Sequence, residues 1–210
     1  MRILAGAVAT FVVLCLVVCP AMGSKQKKTD LVEQVVALNL GMNGYVIGQK
    51  LTVDQKRIGE KNTEPGAYEG TYKFGDNNVI VVVDKETDRV LALYRQKKDA
   101  DKSQLKAMVV ELMDTFGEPT VLAHDKILYW AFNKYGAVSE DDFNKAKKVN
   151  QTPNLGIIAT VKLNSDFEIT PDAKGDDKKE EQPKLSKGTV YYIITSDLLV
   201  QQFMKGHKEQ

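Results

Sequence analysis

The sequence predicts an α+β fold in which helices pack on one face of an antiparallel β-sheet. Residues 79–83 and 90–94 are short runs of mainly β-branched and other apolar residues separated by a polar turn. Such close spacing is typical of antiparallel neighbours. Residues 103–116 differ, because apolar residues recur there every three or four positions, which predicts a helix with one buried stripe. Together these patterns favour helices laid on a meandering sheet.

The first 23 residues have the layout of a secretory signal peptide. A basic residue, Arg2, precedes the apolar run 3–19, Pro20 ends it, and Gly23 is a small residue before Ser24. Cleavage between Gly23 and Ser24 is therefore expected, which indicates a periplasmic or secreted protein. An uncleaved anchor is the alternative. A lipoprotein is disfavoured, because bulky Val18 precedes Cys19.

The composition excludes several classes of function. The chain has 29 basic and 28 acidic residues, and removal of Arg2 with the leader balances them. Proteins that bind nucleic acid or anionic membranes are usually basic, so neither is an expected partner, and no membrane span is expected after cleavage. Both cysteines, Cys15 and Cys19, lie in the leader. Disulfides, thiol nucleophiles and cysteine-based zinc sites are therefore not expected.

Residues 24–98 read as a first α+β module. Asp30 is placed to cap one helix, and Thr52 with Gln55 forms a capping box for a second helix that runs to about Ile58. Three strands follow, predicted at 68–73, 79–83 and 90–94. The unbroken β-branched run of the middle strand suggests a strand that is central in the sheet or buried on both faces.

Residues 99–210 repeat the plan. The helix at 103–116 ends at Gly117, and strands are predicted at 127–132, 155–163 and 189–195. Shorter helices are expected after Ser139 and Ser196, each of which can cap. Residues 170–187 are rich in charged residues and nearly free of apolar ones, which predicts a disordered loop.

The two modules share short motifs at corresponding points. Residues 50–55 (Lys-Leu-Thr-Val-Asp-Gln) and residues 116–120 (Phe-Gly-Glu-Pro-Thr) are similar to the beginning and the end of one helix-plus-strands unit. This tandem plan resembles the β-lactamase-inhibitor-protein-like fold, which is shared with small outer-membrane assembly lipoproteins. The resemblance implies a binding protein that performs no chemistry, although the chain lacks a usable lipoprotein cleavage motif.

Groups that could perform catalysis are few. His124 is predicted in a turn and His207 in a polar tail, so nothing brings them together, and no catalytic residues are assigned. Asp99, Asp101 and Ser103 resemble the start of a calcium loop, but Gln104 stands where that loop needs glycine. No metal site and no cofactor are therefore expected.

Aromatic residues on two predicted strands are the candidate binding residues. Tyr129 and Trp130 are adjacent on one strand, and Tyr191 and Tyr192 are adjacent on another. Neighbours on a strand point to opposite faces, so some of the four must lie on the face that helices leave uncovered. We expect a non-enzymatic binding module that engages a protein or envelope partner through this face. An envelope hydrolase, or an accessory subunit of one, is the alternative.

Overall fold

The computed structural model describes residues 30–167, 169 and 187–206, with side chains to Met204. Five α-helices, one short 3-10 helix and eleven strands lie in these ranges. The helices are α1 Leu31–Ala37, α2 Val53–Lys61, α3 Lys102–Phe116, α4 Glu140–Lys148 and α5 Asp197–Gly206, and the 3-10 helix is Thr152–Leu155. The strands are β1 Gly41–Met42, β2 Tyr45–Val46, β3 Glu64–Pro65, β4 Thr71–Asp76, β5 Val79–Asp84, β6 Val90–Ala100, β7 Val121–Ala123, β8 Ile127–Asn133, β9 Gly136–Ala137, β10 Ile157–Ser165 and β11 Gly188–Thr195. The α+β fold class is confirmed.

Nine of these strands form one antiparallel sheet. Its order is β3-β4-β5-β6-β11-β10-β8-β7, and β9 pairs with β8 beside that path. Two meanders, β4-β5-β6 and β8-β10-β11, meet where β6 pairs with β11, from Ala92 opposite Thr195 to Ala100 opposite Gly188. The second meander runs across the sheet in reverse order, so its last strand lies beside the last strand of the first. The sheet is therefore continuous across the boundary at residue 99.

One face of the sheet is covered, and the core of the protein lies beneath it. The covering elements are α1, α2, α3, the β1-β2 hairpin and α5, whose Leu199 is fully buried in the core. Residues that point to this face are buried almost completely, among them Phe74, Val81, Leu93, Trp130, Val161, Leu163, Tyr192 and Ile194. They belong to one hydrophobic cluster that includes residues of both meanders and of the covering helices. A shared core of this kind makes the two halves depend on each other for stability.

Specific interactions at both ends fix where helix α3 begins and stops. Asp101 accepts a hydrogen bond from the backbone N–H of Gln104, and the Gln104 side chain accepts one from the backbone N–H of Asp101. This is a full capping box, which the sequence interpretation missed because it compared Gln104 only with a calcium loop. At the other end, Gly117 has a φ of 78°, a conformation that glycine adopts without strain. Leu105, Met108 and Leu112 are thereby held against the sheet.

Several predicted boundaries need correction. The first strand begins at Thr71 and not at Tyr68, because residues 66–70 form a turn closed by a hydrogen bond from the Thr71 hydroxyl to the Tyr68 carbonyl. Strand β6 continues to Ala100, six residues further than predicted. Of the two alternatives for β5, an interior position in the sheet is confirmed, because β5 pairs with β4 and β6, whereas burial on both faces is wrong, because Ile80 and Val82 are half-buried.

The remaining predictions divide between confirmed elements and residues outside the described ranges. The capping box of Thr52 and Gln55 is confirmed, as are helices after Ser139 and Ser196. The signal peptide at 1–23, its cleavage site between Gly23 and Ser24, and the loop at 170–187, apart from Lys187, lie outside the described residues. Within the described ranges, no helix combines the length and the apolar character needed to cross a bilayer.

Candidate functional site: the open face of the sheet

The second face of the sheet lies opposite α1, α2 and α3 and is bordered by α5 through Asp197 and Val200, and we call it the open face. Cross-strand partners point to the same side of a sheet, so the register identifies its members. Ile80 pairs with Tyr94, Tyr94 with Ile193, Ile193 with Lys162, and Lys162 with Tyr129. All five are half-buried, whereas their neighbours along each strand, apart from Arg95, are buried on the other side. The row thus crosses five strands, from β5 to β8.

The four candidate aromatics divide evenly between the two faces. Tyr129 and Tyr191 lie on the open face and are half-buried. Trp130, at 1% exposed, and Tyr192, at 6%, point to the covered face. The candidate set therefore needs correction, because Trp130 and Tyr192 have no surface to offer a partner.

The buried pair has clear structural partners instead. The Trp130 Nε1–H donates a hydrogen bond of 2.8 Å to the Gly117 carbonyl, and the indole ring packs near Phe116. Trp130 thereby ties the end of α3 to β8. Burial, followed by the charge of Glu111, raises the pKa of Tyr192, while Arg95 opposes the effect. Both residues belong to the interface between α3 and the sheet.

Two adjoining depressions give the open face its shape. One has a volume of about 430 Å³ and is bordered by Tyr68, Tyr94, Ile193 and Val200. The other has a volume of about 270 Å³ and is lined by Tyr94, Gln96, Tyr191 and Ile193. Because Tyr94 and Ile193 belong to both, the depressions form one shallow groove. Grooves lined by tyrosine and aliphatic side chains suit contact with apolar groups of a partner.

The three outward side chains of β10 form a polar row in this apolar surface. They are Thr160, Lys162 and Asn164, and they lie between Tyr129 on β8 and Tyr191 on β11. The Lys162 Nζ lies 5.4 Å from the centre of the Tyr129 ring, a cation–π contact. Lys162 forms no ion pair with any described residue.

The hydrogen bonding of this row is incomplete. The Asn164 Nδ2 donates to the Tyr191 hydroxyl at 2.7 Å, but the Asn164 Oδ1 is buried without a partner. The Thr160 hydroxyl is also buried and makes no hydrogen bond of normal geometry. It nevertheless lies close enough to Tyr129 to oppose the rise in the pKa of that phenol, which burial and then Asp197 cause. Unsatisfied polar atoms are uncommon in folded proteins and call for an explanation.

Charge is distributed unevenly on the open face. Two carboxylates lie at its described strand positions: Asp84, which is fully buried and accepts hydrogen bonds from the backbone and hydroxyl of Thr87, and Glu64 on the edge strand β3. Lys73 is paired with Glu64 at the sheet edge. Asp197 lies at the rim, where α5 begins. Lys162 is thus a half-buried cation on this face that forms no ion pair with a described residue.

Groups associated with catalysis lie away from this groove. His124 is exposed in the turn between β7 and β8, where it adopts a φ of 52°. It forms no ion pair and no side-chain hydrogen bond with another described residue. His207 lies outside the described ranges. Within those ranges, no group of three or more His, Cys, Asp or Glu side chains is arranged to hold a metal ion.

A second concavity lies on the covered side. It has a volume of about 630 Å³ and is lined mainly by apolar residues from α3, β7 and β8, including Met113, Phe116, Leu122 and Leu128. Ile169 also borders it, and the description of the chain is interrupted directly after this residue. The boundary of this cleft is thus only partly described.

Sequence reasoning missed most residues of the open face. Tyr94, Ile193, Ile80 and Val82 were placed on strands but not on a surface, and Lys162 was not singled out. The continuous apolar runs 79–83 and 190–194 held the relevant information, since a strand that is apolar on both sides needs cover on both. Comparison of the chain with protein-family models, with curated proteins and with solved structures finds no match.

Proposed function

We propose that this protein is a non-enzymatic binding module whose open sheet face docks a partner protein. The observation that carries the proposal is the groove shared by Tyr94 and Ile193, which offers aromatic and aliphatic side chains on a rigid sheet. Tyrosine-rich apolar surfaces are enriched where proteins contact one another. The groove is shallow and open. This shape suits an extended contact with a macromolecule better than the enclosure of a small substrate.

The rigidity of the face supports the same function. Its residues project from five hydrogen-bonded strands whose opposite sides are locked into the core. A partner that docks here would not need to order a loop, so little binding energy would be spent on conformational entropy. Tyr68, in the turn before β4, extends the surface at one side and is about half exposed.

The site of action is part of the proposal. Residues 1–23 have the features of a cleaved signal peptide, so we infer that the protein works in the periplasm or outside the cell. The motifs at residues 50–55 and 116–120, which resemble those of the β-lactamase-inhibitor-protein-like fold, favour a binding role in that compartment. Mass spectrometry of the protein purified from its native cells is expected to find Ser24 at the N-terminus. Retention of Met1, or a lipid on Cys19, would contradict this expectation.

The docking face can be tested by site-specific photocrosslinking in intact cell envelopes. A photoreactive phenylalanine analogue replaces Tyr191 on the open face or, as a control, Ala107 on the exposed side of α3. We expect one defined crosslinked protein for the Tyr191 position and none for Ala107. The purified partner should then bind the wild-type protein, and Tyr94→Ala should weaken its affinity at least tenfold without changing the melting temperature by more than a few degrees.

Two outcomes would contradict the proposal. Equal crosslinking from both positions would show that the partner does not bind the open face in preference to the exposed side of α3. Binding of the purified partner that is insensitive to Tyr94→Ala would place the contact elsewhere. Hydrolysis of an envelope component by the wild-type protein, lost on replacement of His124, would favour the alternative of an envelope hydrolase.

A further inference from the structure

At the centre of the open face, several hydrogen-bond donors have no acceptor among the described residues. The Lys162 ammonium carries three N–H donors, contacts the Tyr129 ring and forms no ion pair with a described residue. A lysine that is half-buried among tyrosine and isoleucine side chains loses part of its hydration without gaining an anion. The cost is offset when a partner supplies that anion.

The neighbouring Asn164–Tyr191 pair provides a second donor. With the Asn164 Nδ2 donating to the Tyr191 oxygen, the Tyr191 O–H has no acceptor among the described residues. If the amide is turned over, Tyr191 donates to the Asn164 oxygen and both N–H groups of Asn164 are unused. In the second orientation the free nitrogen takes the buried position of Oδ1, so the donor that a partner could meet on the open face is the Tyr191 O–H of the first orientation.

The two sets of donors are adjacent. Asn164 lies opposite Tyr191, and Lys162 lies opposite Ile193, so they occupy consecutive outward positions on β10 and β11. An ammonium beside a hydroxyl or amide donor is an arrangement that suits an anion with two acceptor oxygens. We therefore propose that Lys162 and the Asn164–Tyr191 pair form a carboxylate-binding subsite beside the groove, which Tyr191 also lines.

The surroundings of the subsite point to the class of partner. Val82 and Ile193 present apolar side chains to the flanking depressions, which have the sizes of single side chains or small clusters of them, and Thr195 and Gln96 add polar groups. Because a glycan would leave hydroxyl groups unpaired against the apolar part of these walls, a polypeptide that fills it with apolar side chains fits better. The partner that fits is a protein segment in which an Asp or Glu side chain is flanked by apolar residues.

Charge complementarity supports this choice. At the described strand positions of the open face, Asp84 is buried and Glu64 is paired with Lys73 at the sheet edge, so the described carboxylate left to repel an incoming acid is Asp197 at the rim. This inference rests on the proposed function, because it names what the docking face recognises. It adds that binding requires an Asp or Glu side chain of the partner.

Selection from a displayed library of random dodecapeptides tests the subsite without knowledge of the natural partner. The purified protein is the target, and peptides that also bind Tyr94→Ala are removed. We expect the remaining peptides to share an Asp or Glu flanked by apolar residues. Replacement of that acid by its amide should weaken binding to the wild-type protein at least about tenfold.

Variants of the protein assign the effect to the subsite. On Lys162→Met, the acidic peptide and its amide version should bind within about twofold of each other, whereas Lys162→Arg should restore most of the preference for the acid. Lys106→Met, which removes an exposed lysine of α3 on the opposite side of the molecule, should change nothing. Lys162→Gln serves as a second neutral variant if Lys162→Met does not fold.

Each outcome decides a different question. Peptides that depend on Tyr94 but contain no acid, or whose acid is indifferent to Lys162, would overturn the carboxylate subsite and leave the docking face in place. No peptide that depends on Tyr94 would contradict both. Binding of oligogalacturonate that depends on Lys162 and exceeds that of every selected peptide would overturn the protein class of partner in favour of an acidic glycan.

Discussion

The two faces of the sheet are built from similar residues and differ in what covers them. Adjacent residues of β11 show the contrast: Tyr192 is packed under α3 near Arg95 and Glu111, while Tyr191 faces the open groove beside Asn164. In β8, Trp130 is fixed to Gly117, while Tyr129 lies under the Lys162 ammonium. Apolar character by itself therefore does not distinguish a core residue from a candidate binding residue. The position of the covering helices does.

The largest expected effect tests whether α3 really covers its face. Leu112 is 3% exposed, so Leu112→Asp would place a carboxylate in apolar surroundings and should cost several kcal/mol of the ~5–15 kcal/mol that typically stabilises a domain. Leu112→Ala should cost roughly 2–5 kcal/mol through lost contacts and a cavity. Urea unfolding measures both.

The matched control for Leu112 is Lys106→Ala on the exposed side of the same helix, which should change the free energy of unfolding by no more than about 0.5 kcal/mol. Glu111 is less suitable as a control, because it lies 3.6 Å from the Arg95 guanidinium. Wild-type stability in Leu112→Asp would mean that the α3 stripe is a surface, and the distinction between the faces would fail.

The adjacent tyrosines of β11 give the sharpest version of the comparison. Tyr192→Ala should cost about 3 kcal/mol of unfolding free energy, because a buried ring is lost from under α3. Tyr191→Ala should cost about 1 kcal/mol or less, yet it should be the variant that loses affinity for the partner. Chemical unfolding and a binding titration on the same two proteins check this. Equal costs would show that both rings are structural.

The sequence was sufficient for the elements but not for the faces. Alternation and caps located the central strands and the main helices, because hydrophobic period and N-cap chemistry are local properties. The order of the second meander depends on which strand pairs with β6, and no short stretch of sequence encodes that choice. Tyr129 and Tyr191 could be named as candidates. Their separation from Trp130 and Tyr192 required knowledge of the side on which α3 lies.

Small edge elements were missed for a different reason. Strands β7 and β9 contain three and two residues, and β1, β2 and β3 contain two each. Segments this short show no period, and they exist because a neighbouring strand offers hydrogen bonds. The subsite at Lys162 was missed for a related reason. It is formed together with neighbours on β8 and β11 that are about 30 residues away in sequence, so no local pattern indicates it.

Titration of buried tyrosines provides a third test. Burial is the largest cause that raises the pKa of Tyr45, Tyr72, Tyr129 and Tyr192, and Tyr45 also donates a hydrogen bond of 2.8 Å to Asp76. The folded state therefore holds these protons more tightly than the unfolded state. Their contribution to stability is complete below the ordinary tyrosine pKa of about 10 and is lost as the pH rises from there through the raised values.

Unfolding free energies measured from pH 8 to pH 11.5 should accordingly be level at first and fall above about pH 10. Tyr45→Phe should flatten this fall more than Tyr129→Phe does, because Tyr45 lies under the covered face with its hydroxyl bound to Asp76, while Tyr129 is only half-buried. A fall of the same size in both variants would indicate that the two faces shield their tyrosines equally.

The smallest expected effect compares a helix on the sheet with one beside it. Asp101 caps α3 and Ser139 caps α4, and each accepts a hydrogen bond from a backbone N–H three residues on. Helix α3 buries three residues in the core, whereas α4 buries none. Fraying of α3 therefore disturbs the global fold, and fraying of α4 does not.

Asp101→Ala should lower the melting temperature by about 2–4 °C, and Ser139→Ala by less than about 1 °C. Hydrogen exchange should become faster within α4 alone in Ser139→Ala. Equal melting shifts in the two variants would mean that α4 contributes to the core as α3 does, and the covered face would then be larger than its buried residues indicate.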